Sequence, residues 1–251
     1  MSCLKETMDR CNETDDLNSP MYLYETHLHT FPISACGKAG VRESLEYYKS
    51  AGYAGVFMTD HFIDANFDRS AREWSYADRI KRYFSAYEEG RLVGEEIGLS
   101  VFYGFEMAHR WAHILVYGID EEWCLSHPDM DKMKKSELLT LLREDGALLI
   151  QAHPFRTVET EIILYPNHVH GVEIYNGSRG DFENKLAVQY AENYGLLPFA
   201  GSDNHRGGDH ERGFGGIATQ TPIQDAREIK DIVIGGKYRV FARDENGFRY
   251  L

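Results

Sequence analysis

Six apolar runs in this chain each end in a polar residue that can bind a metal ion or form hydrogen bonds with a substrate. The runs end at His27 and His29, at Asp60-His61, at Glu106, at His153, at Asn176 and at Asp203-Asn204-His205. Such runs, separated by helical patterns, are typical of the strands of an α/β sheet. The carboxyl ends of parallel strands meet at one rim, and catalytic residues lie there in α/β barrels. The pattern therefore predicts a functional site made of strand ends.

The first run ends in two histidines separated by one residue. Side chains at positions i and i+2 of a strand point to the same face, so His27 and His29 project side by side. Two protonated imidazoles at that spacing repel each other, and a shared metal ion is a natural reason for the pairing. A lone pair of this kind is as often a hydrogen-bonded polar pair as a metal site. The later runs favour the metal site.

The size and charge of the chain limit the kinds of protein it can be. Its 251 residues match the length of one α/β barrel, and a hydrophobic content of 43% indicates a packed core. The formal net charge of −13 argues against a standing affinity for long nucleic acid, which needs clustered lysine and arginine. A small phosphorylated substrate is compatible with this charge, because bound metal ions reverse the local field.

The cysteines and the start of the chain bear on location and domain structure. The four cysteines are Cys3, Cys11, Cys36 and Cys124. They form no CxxC pair, which is typical of a reducing compartment. No segment has the apolar length of a signal core or a membrane span, so we expect a cytoplasmic protein with no membrane partner. Residues 1–20 are polar and acidic and predict a flexible extension, which leaves residues 21–251 as one α/β domain.

The apolar periodicity predicts five helices along the chain. Their expected spans are 41–50, 76–97, 129–144, 182–194 and 225–234. The strand from His113 to Tyr117 begins with its polar residue, which fits the rim only if this strand returns as a hairpin from the strand ending at Glu106. Residues 62–75 form a loop long enough to be a lid or an entrance wall. Residues 207–216 predict a glycine-rich loop, and residues 238–241 a final strand.

Eight residues at the strand ends and in the hairpin have side chains that ligate divalent metals. They are His27, His29, His61, Glu106, His113, His153, Asp203 and His205. Mixed imidazole and carboxylate ligands suit zinc, manganese or iron. Eight ligands exceed what one catalytic ion draws from a protein, so the set predicts two or three divalent ions that share a carboxylate. Closely spaced ions of this kind are used to hydrolyse phosphate esters.

In their order along the chain, the motifs THLHT, TDH, GFE, AHP, EIYNG and GSDNH resemble those of the PHP (polymerase and histidinol phosphatase) domain family. The resemblance extends from Tyr22 to Arg206 and implies a distorted, TIM-like (β/α)7 barrel with a trinuclear metal centre at its rim. It implies that one ion is held by His27, His29, Glu106 and Asp203, a second by Glu106, His113 and His153, and the third by His61 and His205.

The chain departs from the family pattern at one ligand position. Family members usually carry Asp or His a few residues after the HxH pair, whereas residues 33–37 of this chain read Ile-Ser-Ala-Cys-Gly. Cys36 could replace that ligand as a soft donor, the third site could be weak or empty, or Cys36 could be a small buried residue. A second alternative concerns His113, because His109 lies four residues earlier and could be the partner of Glu106.

The constellation predicts metal-assisted hydrolysis of a phosphomonoester or a short nucleotide, as in a histidinol-phosphatase-like enzyme, by a water activated as hydroxide. Arg156 is the candidate for orienting the phosphate, since guanidinium pairs with it through two hydrogen bonds; the alternative is a salt bridge to a nearby acid. Asp60 and Asn176 are candidates for orienting ligand histidines. Two other hypotheses stay open: hydrolysis of a C–N or carboxyl ester bond by a similar barrel, and a non-catalytic metal-binding module.

Overall fold

The computed structural model describes residues 21–64, 66–109, 111–157, 161–210 and 213–251. The flexible extension predicted over residues 1–20 lies outside them. The described strands form one mixed sheet, and helices pack against it. The strands are β1 (Tyr22–Leu28), β2 (Gly55–Met58), β3 (Ser100–His109), β4 (Ala112–Tyr117), β5 (Leu148–Ala152), β6 (Gly171–Asn176), β7 (Leu197–Gly201), β8 (Phe214–Thr219), β9 (Arg239–Asp244) and β10 (Gly247–Tyr250). The helices are α1 (Val41–Ser50), α2 (Tyr76–Ile97), α3 (Glu121–Ser126), α4 (Lys135–Glu144), α5 (Asp181–Tyr194) and α6 (Glu228–Ile234).

Two parallel blocks make up most of the sheet, whose order is β10-β9-β8-β1-β2-β3-β4-β5-β6-β7. One block contains β1, β2 and β3, and the other contains β5, β6 and β7. Between the blocks, β4 runs antiparallel to both of its neighbours. The hairpin return predicted for the His113 strand is therefore confirmed, and the start of β4 lies beside the carboxyl end of β3. On the other side of β1, β8, β9 and β10 add an antiparallel extension.

The sheet curls so that the chain leaving β7 meets the end of β1. The backbone N–H of His29 donates to the carbonyl of Asn204 at 2.9 Å, and the N–H of Asn204 donates to the carbonyl of His27 at 3.3 Å. The predicted class, a single α/β domain, is thereby confirmed. The closed, TIM-like (β/α)7 barrel stays a prediction, because β4 is antiparallel and the strand order has two ends.

The two helices nearest the start of the chain match their predicted spans. Helix α2 begins after Ser75, whose hydroxyl accepts a hydrogen bond from the N–H of Asp78 at 3.2 Å. It ends at Gly98, whose left-handed conformation (φ 71°) suits a residue without a Cβ. Helix α1 runs from Val41 to Ser50 and buries Leu45 and Tyr48.

Several predicted elements were wrong in detail. The helix predicted over 129–144 is divided into a 3-10 turn at Met130–Lys132 and α4, because Met133 is extended. The helix predicted over 225–234 begins only at Glu228. The predicted glycine-rich loop includes the start of β8, and the sequence reading missed α3 and β10.

The segment proposed as a lid or a wall is packed against the body of the protein. Phe62 and Phe67 are buried, and the N–H of Ala35 donates to the carbonyl of Asn66 at 2.7 Å. This segment therefore lies beside the loop that follows β1. Across the part of the chain that the structure describes, no helix has both the length and the apolarity needed to cross a membrane.

Candidate metal centre

The topology of the sheet brings the eight predicted ligands to one edge. His27 lies in β1, Glu106 lies in β3, and His153 directly follows β5. Because β4 is antiparallel to β3, its second residue, His113, pairs with Ala108 near the carboxyl end of that strand. Asp203 follows β7 by two residues. Residues far apart in sequence thus meet at the carboxyl ends of the parallel strands.

Glu106 is at the centre of this cluster and lies close to ring nitrogens from several other parts of the chain. Its Oε1 lies 2.8 Å from Nδ1 of His113 and 3.1 Å from Nε2 of His153. Its Oε2 lies 3.0 Å from Nδ1 of His61 and 3.4 Å from Nε2 of His29. Oε1 also lies 3.4 Å from Nε2 of His27. The two oxygens therefore face different histidines, an arrangement that would suit a residue shared by two ions.

Asp203 is a second carboxylate close to the first histidine pair. Its Oδ1 is 3.6 Å from Nε2 of His27, 3.5 Å from Nε2 of His29 and 3.5 Å from Nδ1 of His205. Its Oδ2 is 3.9 Å from Nε2 of His153. Both carboxylates therefore lie near the Nε2 atoms of His27 and His29.

The eight residues form four overlapping groups in which the potential ligand atoms all lie within 4.8 Å of one another. The groups are His27-His29-Asp203, His27-Glu106-His153, His61-Glu106-His113 and His29-His61-His205. The division implied by the family resemblance has three sites and differs from these groups. His113 is grouped with His61 and not with His153, and Glu106 is not in the group of His27, His29 and Asp203. Glu106 belongs to two groups, in agreement with its expected bridging role.

The potential ligand atoms cannot all be satisfied by hydrogen bonds to one another, whereas divalent cations would satisfy them. Nε2 of His27 and Nε2 of His29 are 3.1 Å apart, so one proton at most lies between two nitrogens that both face the cluster. Nδ1 of His61 is buried and lacks a hydrogen-bond partner among the described residues, although Glu106 is close to it. Imidazole and carboxylate donors that converge in this way suit zinc, manganese or iron.

The two carboxylates are held in their charged form. Burial by itself raises the pKa of Glu106, but His113 and His61 outweigh it and lower that pKa well below its ordinary value. Burial likewise opposes the charge of Asp203, whereas His27 and His205 lower the pKa of this residue strongly. Both side chains are therefore anionic near neutral pH, as metal ligands must be.

The histidines differ in their affinity for protons. Burial disfavours the charged form of His27, but Glu173 and Asp203 outweigh it and raise its pKa well above the ordinary value. For His29, burial and the neighbouring His205 lower the pKa well below that value. The pair of His27 and His29 thus consists of one imidazole that carries a proton readily and one that does not.

Two chains of hydrogen bonds hold the Nδ1 side of the His27 and His29 rings. Ser34 Oγ lies 2.9 Å from Nδ1 of His29 and donates to Oδ1 of Asp60 at 2.7 Å. The Nδ2 of Asn176 donates to Oε2 of Glu173 at 2.9 Å, and Oε1 of Glu173 lies 2.8 Å from Nδ1 of His27. In these chains Asp60 is connected to His29 through Ser34, and Asn176 is connected to His27 through Glu173.

Sequence reasoning missed both of these intermediate residues. Glu173 did have a signal, because it is a lone acid in the middle of the apolar run of β6. Ser34 had none, since serine is common in loops. Its role follows from the tight turn after β1, where the N–H of Ser34 donates to the carbonyl of Thr30 at 2.9 Å.

Two ligand candidates have backbone conformations that side chains rarely adopt. The φ angles of His153 and Asp203 are 25° and 53°. A non-glycine residue at positive φ costs free energy and persists only where the surroundings fix it. Both residues lie at the cluster, and such strain is concentrated at functional sites.

Two alternatives concern Cys36 as a replacement ligand and His109 as the partner of Glu106 in place of His113. Cys36 is half-buried, and hydrogen bonds with His205 and His61 outweigh its burial and lower the pKa of its thiol to about 7. The thiol thus lies next to the His29-His61-His205 group. The side chain of His109 lies outside the described residues, whereas His113 is in contact with Glu106.

Two arginines belong to the loops that surround the cluster. Arg156 is half-buried in the loop after β5, three residues beyond His153. Arg179, which sequence reasoning did not single out, lies in the loop after β6, and its Nη2 is 3.8 Å from Oδ2 of Asp203.

Comparisons of the sequence with models of protein families and with curated proteins give no match. Solved structures do match. The domain superposes, with a TM-score of 0.65 and 14% identity, on a two-domain protein from Bacteroides vulgatus that contains a predicted PHP-like metal-dependent phosphoesterase; 91% of this chain and 67% of that one are covered.

Two further structures are similar over most of their length. A protein from Bifidobacterium adolescentis named as a metal-dependent phosphoesterase matches with a TM-score of 0.53 and 15% identity, covering 86% of this chain and 97% of that one. An amidohydrolase from Chromobacterium violaceum, solved with bound sulfate and no metal, matches with a TM-score of 0.54 and 13% identity, with the same coverage. The chain therefore has the fold of PHP-like metal-dependent phosphoesterases, which confirms at the level of the fold the resemblance seen in its motifs.

Proposed function

We propose that this protein is a metal-dependent phosphoesterase that hydrolyses a phosphomonoester or a short nucleotide at a centre of two or three divalent ions. The observation that carries the proposal is the position of Glu106, which belongs to two of the groups of potential ligands and faces histidines with both of its oxygens. A shared carboxylate between closely spaced ions is the arrangement suited to phosphate ester hydrolysis. Ions held by these residues would supply a water of lowered pKa and would neutralise charge on the phosphate oxygens.

The residues of the chain contribute charge and orientation. Glu106 and Asp203 provide the negative charge that offsets the ions, and their burial strengthens that interaction. Asp60, through Ser34, and Asn176, through Glu173, fix the rings of the first histidine pair. We propose that Arg156 orients the phosphate and that Cys36 is a further ligand beside His61 and His205.

The same proposal includes the barrel architecture, the identity of the metal, the substrate class and the cellular compartment. We propose that the curled sheet functions as a distorted (β/α)7 barrel with its rim at the cluster. We propose zinc, manganese or iron as the metal, because the donors are imidazole and carboxylate. A histidinol-phosphatase-like reaction in the reducing cytoplasm, on a small substrate and not on long nucleic acid, agrees with the acidic chain.

Hydrolysis of a C–N or carboxyl ester bond is the second candidate, because one similar structure is named an amidohydrolase. A panel of substrates separates the two. Manganese-loaded protein is assayed on an aryl phosphate monoester, the matching diester, an aryl acetate and an aryl amide. Turnover of a phosphoester that disappears in His29→Ala supports the phosphoesterase. Turnover of only the acetate or the amide would replace it with the second candidate.

A further inference from the structure

We infer that Arg179 binds the phosphate group of the substrate directly, at the side of the metal centre formed by Asp203 and His153. This inference rests on the proposed function and names a binding residue that the motifs do not contain. It depends on the position of the arginine, on its unused hydrogen-bond donor and on the charge around it.

The loop that carries Arg179 is fixed to the cluster by hydrogen bonds on both sides. Oδ1 of Asn176 accepts from the N–H of Ser178 at 3.0 Å, and the carbonyl of Asn176 accepts from the N–H of Arg179 at 3.0 Å. The hydroxyl of Ser178 donates to the carbonyl of Asp203 at 2.9 Å. The backbone of Arg179 is thus positioned relative to a ligand candidate before any substrate arrives.

The guanidinium approaches one defined side of the cluster. Its Nη2 lies 3.8 Å from Oδ2 of Asp203, the oxygen that also faces Nε2 of His153. The other oxygen of Asp203 faces His27 and His29. Arg179 therefore lies beside the histidine-carboxylate group of His153, at a distance too long for a bidentate arginine-carboxylate pair.

Arg179 retains a hydrogen-bond donor that no described residue satisfies. Its Nε is buried without an acceptor, and the side chain as a whole is only 19% exposed. A buried donor without a partner costs free energy, so an acceptor is expected to complete the site. Arginine presents its N–H groups as a planar fork that matches the oxygens of a phosphate.

The charge at this position also calls for an anion. Guanidinium is always positive, and two or three divalent ions bound by the adjacent ligands would repel it across a few ångströms of buried space. Asp203 has only one negative charge to offset that of Arg179, and the same carboxylate also faces the histidines. A phosphate placed between the ions and Arg179 relieves this repulsion, because it carries up to two negative charges.

The test compares the binding of inorganic phosphate with turnover in manganese-loaded protein. Arg179→Ala is expected to weaken phosphate binding in calorimetry about 10- to 100-fold, the effect of losing a charged hydrogen bond. KM for an aryl phosphate is expected to rise, while the manganese content stays that of the unmodified protein. Arg179→Lys keeps the charge without the fork and is expected to recover part of the affinity.

Two controls make the outcome specific. Arg143→Ala removes an exposed arginine from α4 and is expected to leave phosphate binding unchanged. Arg156→Ala tests the other arginine in the same assay. Unchanged phosphate affinity in Arg179→Ala would overturn the inference, and so would loss of manganese, because the side chain would then serve only to hold Asp203. Turnover gives a separate result: a protein that binds phosphate through Arg179 but hydrolyses no phosphoester keeps the inference and loses the proposed function.

Discussion

Glu173 illustrates how one buried carboxylate can organise several ligands at once. It accepts hydrogen bonds from the side chain of Asn176 at 2.9 Å and from the backbone N–H of His153 at 3.0 Å, and it lies 2.8 Å from Nδ1 of His27. All three partners are donors when Nε2 of His27 faces a metal. The negative charge of Glu173 therefore sets both the orientation and the basicity of that ring.

Glu173→Gln is expected to lower the affinity for manganese about 10- to 100-fold, although glutamine has nearly the same size. The amide NH2 of glutamine must face at least one of the three donors, which tilts the ring of His27. Affinity is measured by competition with a coloured chelator. The exposed acid Glu137 on α4 supplies the control, Glu137→Gln. Unaltered affinity in Glu173→Gln would show that this orientation is unimportant.

Cys36 differs from a buried structural cysteine in its neighbours. Its thiol, with a pKa of about 7, is in part a thiolate near neutral pH. Burial raises the pKa of Cys124 instead. We expect the cadmium-loaded protein to have an ultraviolet thiolate-to-metal charge-transfer band that is lost in Cys36→Ser and kept in Cys124→Ser. Identical spectra for Cys36→Ser and the unmodified protein would exclude a Cys36 ligand.

At the residue scale, the sequence was sufficient to name the ligand candidates but not the residues that support them. The candidates are His, Glu and Asp at strand ends, and the pattern of apolar runs reveals such positions directly. Ser34 reaches His29 only because of the turn after β1, and Arg179 approaches Asp203 from a different loop. No local pattern carries that information.

The packing of β7 against β1 brings the ligand candidates that follow β7 close to those at the end of β1. A Cβ added to Gly201 would overlap the Cβ of His27 and would lie 2.7 Å from Oε1 of Glu173. Glycine is therefore required here by the close approach of a neighbouring strand. The side chain that β1 presents at this contact is itself a ligand candidate.

Gly201→Ala is expected to destabilise the metal-free protein by about 1–3 kcal/mol, as other overpacked sites do, and to weaken metal binding by displacing His27. Urea unfolding measures the first effect and chelator competition the second. At Gly40, before α1, an added Cβ meets no atom within 4 Å and φ is −76°. Gly40→Ala should therefore change stability by less than about 1 kcal/mol. Equal stability of the two variants would contradict this account of the contact.

At the element scale, periodicity predicted the long regular helices and failed where tertiary contacts decide. Helix α2 has a capping serine, a terminal glycine and a continuous pattern, so its span was predictable. β8 begins Phe-Gly-Gly and resembles a loop, but it is held as a strand by pairing with β1 and β9. Glycine lowers intrinsic strand preference, and neighbouring strands override that preference.

The whole molecule couples metal binding to proton binding. In the metal-free protein, burial opposes the charge of His61, but Glu106 and Asp64 raise the pKa of this residue well above its ordinary value, as Glu173 and Asp203 do for His27. These two pKa values contribute stability that is complete below the ordinary histidine value of 6.5 and is lost as the pH rises through the raised values.

Metal binding has the opposite pH dependence, because each ion must displace these protons. We expect manganese binding at neutral pH to release at least one proton, and the manganese-induced rise in Tm to grow from about pH 6 to about pH 8. Calorimetry in buffers of different ionisation enthalpy counts the protons. Binding without proton release would show that His27 and His61 are neutral in the metal-free protein.

The measurement that tests the central claim most directly is a manganese titration of chelator-stripped protein, with bound metal per chain and aryl phosphate hydrolysis followed on the same samples. We predict no turnover without metal, turnover that rises as two or three ions bind, and loss of both metal and turnover in Glu106→Gln. Full turnover by stripped protein would contradict the account, and so would full occupancy without hydrolysis of any phosphoester.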